Sequence, residues 1–186
     1  MKTLRMVGEA VHEYKSGIIE SAEPNHECKV ELPINAHLDA TYVPGERLRL
    51  DLYRRLADVR NGADVLAIEE ELIDRFGVLP EEAQTLLGVA ALRAFAKSIS
   101  LREVVAQGKF VRLSPMNLPE SKQLKLARMY PGSLYKSASS TVLVALPKSS
   151  AWNPSESTAP IVDTSLLAWV TQVVTELAPT SKGSSE

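Results

Sequence analysis

Prolines and glycines cut the middle of this 186-residue chain into three helix-length segments, and that punctuation constrains its fold more than any other feature. Pro44 stands just ahead of ERLRLDLYRRLADV, the turn 60–63 (RNGA) closes that run, Gly77 follows Phe76, and Pro80 precedes EEAQTLLGVAALRAFAKS. Proline suits a helix start because it has no N–H to leave unsatisfied there, and glycine suits a helix end because left-handed geometry costs it little. The apolar spacing agrees. Leu48, Leu52, Leu56 and Val59 share one face of the first segment, and Val65, Ile68, Leu72 and Phe76 share one face of the second, from about residue 64 to 76. In the third, Ala83, Leu86, Leu87, Ala90 and Ala94 form the stripe, small enough for close helix packing, while Glu81 and Glu82 occupy its positive N-terminal end. Arg47/Asp51, Asp51/Arg55 and Arg54/Asp58 stand at i,i+4 spacing, where each pair is expected to add a few tenths of a kcal/mol.

The flanking segments carry other periods. Residues 4–14 place Leu4, Val7, Val11 and Tyr14 on one helical stripe that Gly17 would end, and the acidic, proline-containing run 18–27 reads as a linker. CKVELPI (28–34) alternates apolar and charged side chains as a half-buried strand does, with Pro33 marking an edge position. Residues 102–114 predict a hairpin turning near Gln107-Gly108, 121–129 a short basic helix after Pro119, and 141–147 another strand. After a loop at 148–160, residues 163–177 predict a last helix capped by Asp163 or Thr164, with Leu166, Trp169, Val170, Val173 and Leu177 inward. The tail 179–186 has a disordered composition. The expected fold class is α+β: a helical layer from 44–98, and the last helix, packed on a small mixed or antiparallel β-sheet from 28–34, 102–114 and 141–147.

The catalytic inventory comes up short. The chain has no phosphate-binding loop, no GxGxxG after a strand and no Gly-x-Ser-x-Gly elbow. His12, His26 and His37 fall on different segments, and with the single Cys28 they make no recognisable metal set. No catalytic, cofactor-binding or metal site is therefore expected, although a set assembled only in space escapes such a reading. One cysteine fits a reducing cytoplasm, and no stretch is long and apolar enough for a membrane span.

Charge is unevenly distributed around a net of −2. Residues 46–90 hold six basic and ten acidic side chains, whereas 91–136 hold nine basic and two acidic. Such asymmetry fits surfaces for different partners, and equally two solvated faces of different sign. Within the second helix, Glu70, Glu71 and Asp74 gather roughly opposite the apolar face, within about a quarter of the circumference. Glu70 and Asp74 repel at i,i+4, and Glu71/Arg75 is the compensating pair. These acids are either a solvated face with one salt bridge or acceptors awaiting arginines on another protein. Residue physics alone does not choose between the two.

VELPINAHLDATYVPGERLRLDLYRRLADV followed by EEELIDRFGVLPEEAQTLLGVAALR resembles the C-terminal domain of the bacterial transcription-repair coupling factor family, Mfd. The likeness is dense over about 28–98, holds beyond that only in element order, and extends to RMVGEAV, which resembles the segment leading out of that family's motor. It implies a C-terminal piece of a longer ATP-driven DNA translocase, with 1–17 leading from the motor, 18–27 a linker, 28–178 a regulatory domain and 179–186 a tail. The domain would do no chemistry. It would dock on the family's own UvrB-like N-terminal module and mask the UvrA-binding surface until stalled RNA polymerase is engaged. By motif position, Glu71 and Asp74 contact arginines of that module, with Glu70 beside them, while Arg75 and Phe76 hold the helix in place. On this reading, reversing both acids weakens docking and leaves thermal stability nearly unchanged. The alternative is a nucleic-acid-binding module using Arg93, Lys97, Arg102, Lys109, Arg112, Lys122, Lys125 and Arg128, disfavoured because no aromatic side chains interleave with these charges.

Overall fold

The three-helix block forms as its punctuation requires, and a computed structural model of the chain describes residues 27–146 and 164–179. The segments 1–26, 147–163 and 180–186 lie outside the described residues, and with them the expected helix at 4–14, most of the linker, the loop at 148–160 and the tail. Helix α1 spans Glu46–Asp58 and begins at Gly45, whose φ of +100° strains any L side chain. Helix α2 spans Gly62–Phe76. Its N-terminus is closed reciprocally: the Asn61 side chain accepts the Asp64 N–H, and the Asp64 carboxylate accepts the Arg60 N–H. At the other end Gly77, at φ +85°, donates its N–H to the Ile73 carbonyl. Helix α3 spans Glu81–Ser98.

Five strands form one mixed sheet: β1 (Lys29–Glu31), β2 (Glu103–Gln107), β3 (Phe110–Ser114), β4 (Leu134–Lys136) and β5 (Thr141–Ala145). Their order is β1-β2-β3-β5-β4, with β1 parallel to β2 and every other pair antiparallel. A parallel pair needs a long crossover, and α1, α2 and α3 together supply it between β1 and β2. The β1 strand lies at the sheet edge, where Pro33 just beyond it interrupts no ladder. Register brings Val30 beside Val104, Val104 beside Leu113, Leu113 beside Val142 and Val111 beside Val144, so apolar side chains, all buried but the partly buried Val30, line one face of the sheet. Helix α4 (Glu120–Met129) follows the hairpin, and α5 (Thr164–Leu177) covers the apolar face.

Two hydrophobic cores meet along α3. Ala83, Leu87, Ala90 and Ala94 pack with Leu52, Leu56, Val65, Ile68 and Leu72 in a helical core, while Leu92 and Ala96 join the strands and α5 in a second. The small residues matter. A Cβ added at Gly88 would lie 2.6 Å from Leu167 of α5, so that crossing depends on the missing side chain.

Three sequence expectations change in detail. The strand expected over 141–147 ends at Ala145, and β4 with the 3-10 turn Ser137–Ser139 fills a stretch that carried no strand signal. β4 is three residues long with only Tyr135 turned inward, which leaves no alternation to read. None of the three i,i+4 pairs expected within α1 closes as a salt bridge, and Arg55 reaches across to Glu71 of α2 rather than to Asp51.

A candidate docking face on helix α2

The core side of α2 is fixed by Val65, Ile68 and Leu72, all buried, with Phe76 partly buried at its end. Tyr42 locks that end by sharing its hydroxyl between the Leu72 and Gly77 carbonyls, and its ring meets Phe76 edge-on at 5.8 Å. With the inner face settled, every other position on the helix has a determined direction.

The three acids do not share one environment. Glu71 turns toward α1 and is held by two guanidinium groups. Arg55 grips it in a two-pronged contact, Nη1 to Oε1 at 3.1 Å and Nη2 to Oε2 at 2.6 Å, and Arg75 adds Nη1 to Oε1 at 2.8 Å. Arg75 in turn lies 5.3 Å above the Phe76 ring. Glu70 and Asp74 are exposed, and among the described residues neither has a hydrogen-bond or ion-pair partner. The Glu71/Arg75 pair read from the spacing is present. The Arg55 contact has no local signature, since 16 residues separate its partners.

The hydrogen bonds from Arg55, then those from Arg75, lower the Glu71 carboxyl pKa from its ordinary 4.5 to about 2. A carboxyl whose folded pKa lies below its unfolded one stabilises the fold above the unfolded value. That contribution is lost as pH falls from 4.5 to about 2. With the Glu71 side chain 28% exposed and both arginines more open, solvent screening limits it to about 1 kcal/mol. Glu71→Gln is therefore expected to destabilise the domain at neutral pH while flattening its acid-unfolding profile below pH 4.5. Chemical denaturation at pH 7 and pH 3 checks this, and an unchanged profile would remove the staple from consideration.

The outward side of α2 also exposes large apolar groups that the sequence reading passed over. Leu66 is 59% exposed, Ile73 47%, and Val78, just past the helix, 90%. Leu66, Glu70 and Ile73 follow i, i+4, i+7 spacing, and Asp74 lies one residue on, so acids and apolar groups share one strip. The signal was available: on the wheel, Leu66 and Ile73 fall outside the core face, each about 100° from its neighbour Val65 or Leu72.

The basic segment gathers into no comparable face. Arg112 pairs with Glu103 at 3.1 Å on the sheet, and Lys125 stands 3.8 Å from Glu176. Lys122 donates to the carbonyls of Glu176 and Ala178, neutralising the negative end of α5. Arg93 and Lys97 line a cleft beside β1, whereas Lys109 and Arg128 are exposed on other elements. Burial raises the pKa of the Cys28 thiol against the opposing influence of Arg93 and Lys97, unsuited to a nucleophile. His37 bonds Asn35 at 2.9 Å, and His12 and His26 lie outside the described residues. Among the described residues no cluster of His, Cys, Asp or Glu could hold a metal ion, and no helix is long and apolar enough to cross a membrane.

Residues 32–126 match the family model of the TRCF domain. The transcription-repair-coupling factor of Mycobacterium tuberculosis (strain CDC 1551 / Oshkosh) is 37% identical over 184 residues, covering 94% of this chain and 15% of that relative. The factor of Escherichia coli (strain K12) is 33% identical over 108 residues, 57% of this chain and 9% of its own length. This chain thus spans about 15% of the length of the mycobacterial relatives. In fold it is similar to a crystal structure of the C-terminal domain of transcription-repair coupling factor, with a TM-score of 0.56 and 16% identity over 82% of this chain and 94% of that one.

Proposed function

The chain belongs to the TRCF domain family, and from that premise we propose that it is a non-catalytic regulatory domain that closes a transcription-repair coupling factor by docking on the factor's UvrB-like N-terminal module. In this reading residues 28–178 form the regulatory unit, reached from the motor through 1–17 and the linker 18–27. Docking masks the UvrA-binding surface, and engagement of stalled RNA polymerase by the motor releases it. The contact is made by Asp74 and Glu71, with Glu70 beside them, to arginines of the module.

The observation that carries the proposal is the pair of unpartnered acids on the outward side of α2. Glu70 and Asp74 repel at i,i+4 and lie toward the negative end of the helix, so the domain alone gains nothing from them. An arginine surface on a partner turns that unfavourable pair into charge-assisted hydrogen bonds. Glu71 contributes differently. Arg55 and Arg75 fix its direction while its side chain stays 28% exposed, so it serves a partner as a pre-positioned acceptor. A latch of this type needs a few kcal/mol at most, since ~1.4 kcal/mol shifts an equilibrium tenfold.

In the whole coupling factor, Glu71→Lys with Asp74→Lys is expected to raise UvrA binding by roughly tenfold or more without polymerase present. Pull-down of UvrA by the two forms tests this. Equal capture would overturn the latch. No observation favours the nucleic-acid reading, because the basic side chains are divided among separate elements and several neutralise neighbours within the domain.

A further inference from the structure

A trough runs between the C-terminal end of α1, the last turns of α3 and the start of β1. Its two lobes, of about 580 and 510 Å³, share Glu27, Ala57 and Lys97. Asp58 and Arg60 line one lobe and Arg93 the other, where Lys29 and Glu31 already pair with each other at 3.0 Å. Arg93 and Lys97 stand one turn apart on α3 and are half-buried. Neither has a hydrogen-bond or ion-pair partner among the described residues, and the exposed Arg60 side chain has none there either. Half-burying a cation without a partner costs solvation that nothing in these walls returns. Among the lining acids only Asp58 is neither paired nor at the entering end of the chain, so three cations face one carboxylate of the wall.

We infer that this trough seats the chain's own acidic segment 18–26, whose Glu20 and Glu23 pair with Arg60, Arg93 and Lys97. Two observations select that occupant. The segment leads directly into the trough, because Glu27, the next residue, lines both lobes together with Lys97. Glu23 is four residues from Glu27, a reach of up to ~14 Å, while Arg93 and Lys97 stand only ~6 Å apart along the helix. The charges are also complementary: residues 18–27 carry Glu20, Glu23 and Glu27 and no lysine or arginine. Exposed ion pairs are weak one by one. A partner tethered a few residues away is present at millimolar effective concentration, however, so a few weak pairs hold it. Seated there, the segment fixes the direction in which the chain leaves the domain toward residue 17, and salt or a competing anion frees it. The contact is independent of docking through α2.

Backbone 15N relaxation of the 186-residue chain reads the contact. Order parameters of residues 18–26 are expected near ~0.8 in wild type at low salt, and below ~0.6 in Arg93→Gln with Lys97→Gln. Salt at about 0.5 M should lower the wild-type values in the same way. Glutamine is a good helix former, so α3 persists, and unchanged amide shifts in β2, β3 and α5 verify the fold. Charge exchange adds a result that mere destabilisation does not imitate. Arg93→Glu with Lys97→Glu should free the segment, and adding Glu20→Lys with Glu23→Lys should restore its order. Equal order parameters in wild type and the glutamine variant, whether high or low, would overturn the inference. Ordering that grows with chain concentration would assign the trough to a second copy. Resonance shifts at Arg93 and Lys97 on adding inorganic phosphate, with 18–26 flexible throughout, would assign it to an external anion. Either of these results overturns the proposed occupant.

Discussion

Asp74→Lys is expected to weaken binding to the UvrB-like module at least about thirtyfold while leaving the melting temperature within roughly 2 °C of wild type. The side chain is exposed on the outward face of α2 and has no partner among the described residues, so the fold loses nothing when the charge is reversed. Glu71→Lys should behave differently. Its carboxylate joins α1 to α2 through Arg55 and braces Arg75, and a lysine there places three cations together. Loss of the staple and the new repulsion should together cost about 1–2 kcal/mol of stability, in addition to any loss of docking. Thermal melts recorded alongside the binding curves separate the two effects. The reading of ELIDRFG from sequence treated both acids as expendable to stability. The structure confines that property to Asp74.

The largest effect on the fold itself is expected at Leu72. This side chain is fully buried beneath the docking face, in the core formed with Leu52, Leu56, Ile68 and Leu87, and its own carbonyl accepts from Tyr42. Leu72→Ala removes three carbons and leaves a cavity that neighbours anchored on two other helices cannot fill, at a cost of about 3–4 kcal/mol. For a domain of this size that lowers the melting temperature by roughly 10 °C. Leu66→Ala, six residues earlier on the exposed side, should leave the melt almost unmoved. Similar losses at the two positions would mean that α2 does not face the core as described.

The helical half of the molecule was legible in sequence because its signals are local. Pro44, Gly45, Asn61, Gly77 and Pro80 sit at element ends for stereochemical reasons that need no tertiary context, and Val65, Ile68 and Leu72 declare their face by spacing alone. The sheet was legible only in part. Pro33 marked an edge and Gly108 a turn, but the parallel pairing of β1 with β2 spans the whole helical block and leaves no local trace. The short β4, three residues with one turned inward, is defined by pairing with β5 rather than by its own pattern. At the candidate site the acids were visible and their environments were not. The bond from Arg55 to Glu71 depends on how α1 crosses α2, whereas spacing alone pairs Arg55 with Asp51, four residues before it. Leu66 and Ile73 are readable on the same wheel as the acids, because both fall outside the stripe of Val65, Ile68 and Leu72.

A titration of this chain against the isolated UvrB-like module tests the docking claim most directly, for wild type and Asp74→Lys, at about 50 mM and about 300 mM salt. The predicted result is saturable wild-type binding that weakens with salt, an Asp74→Lys variant weaker at both concentrations, and a shallower salt dependence in that variant because one charge contact is gone. Wild-type and Asp74→Lys curves that superimpose at both salts would contradict it, and would return the acids of α2 to the role of an ordinary solvated face.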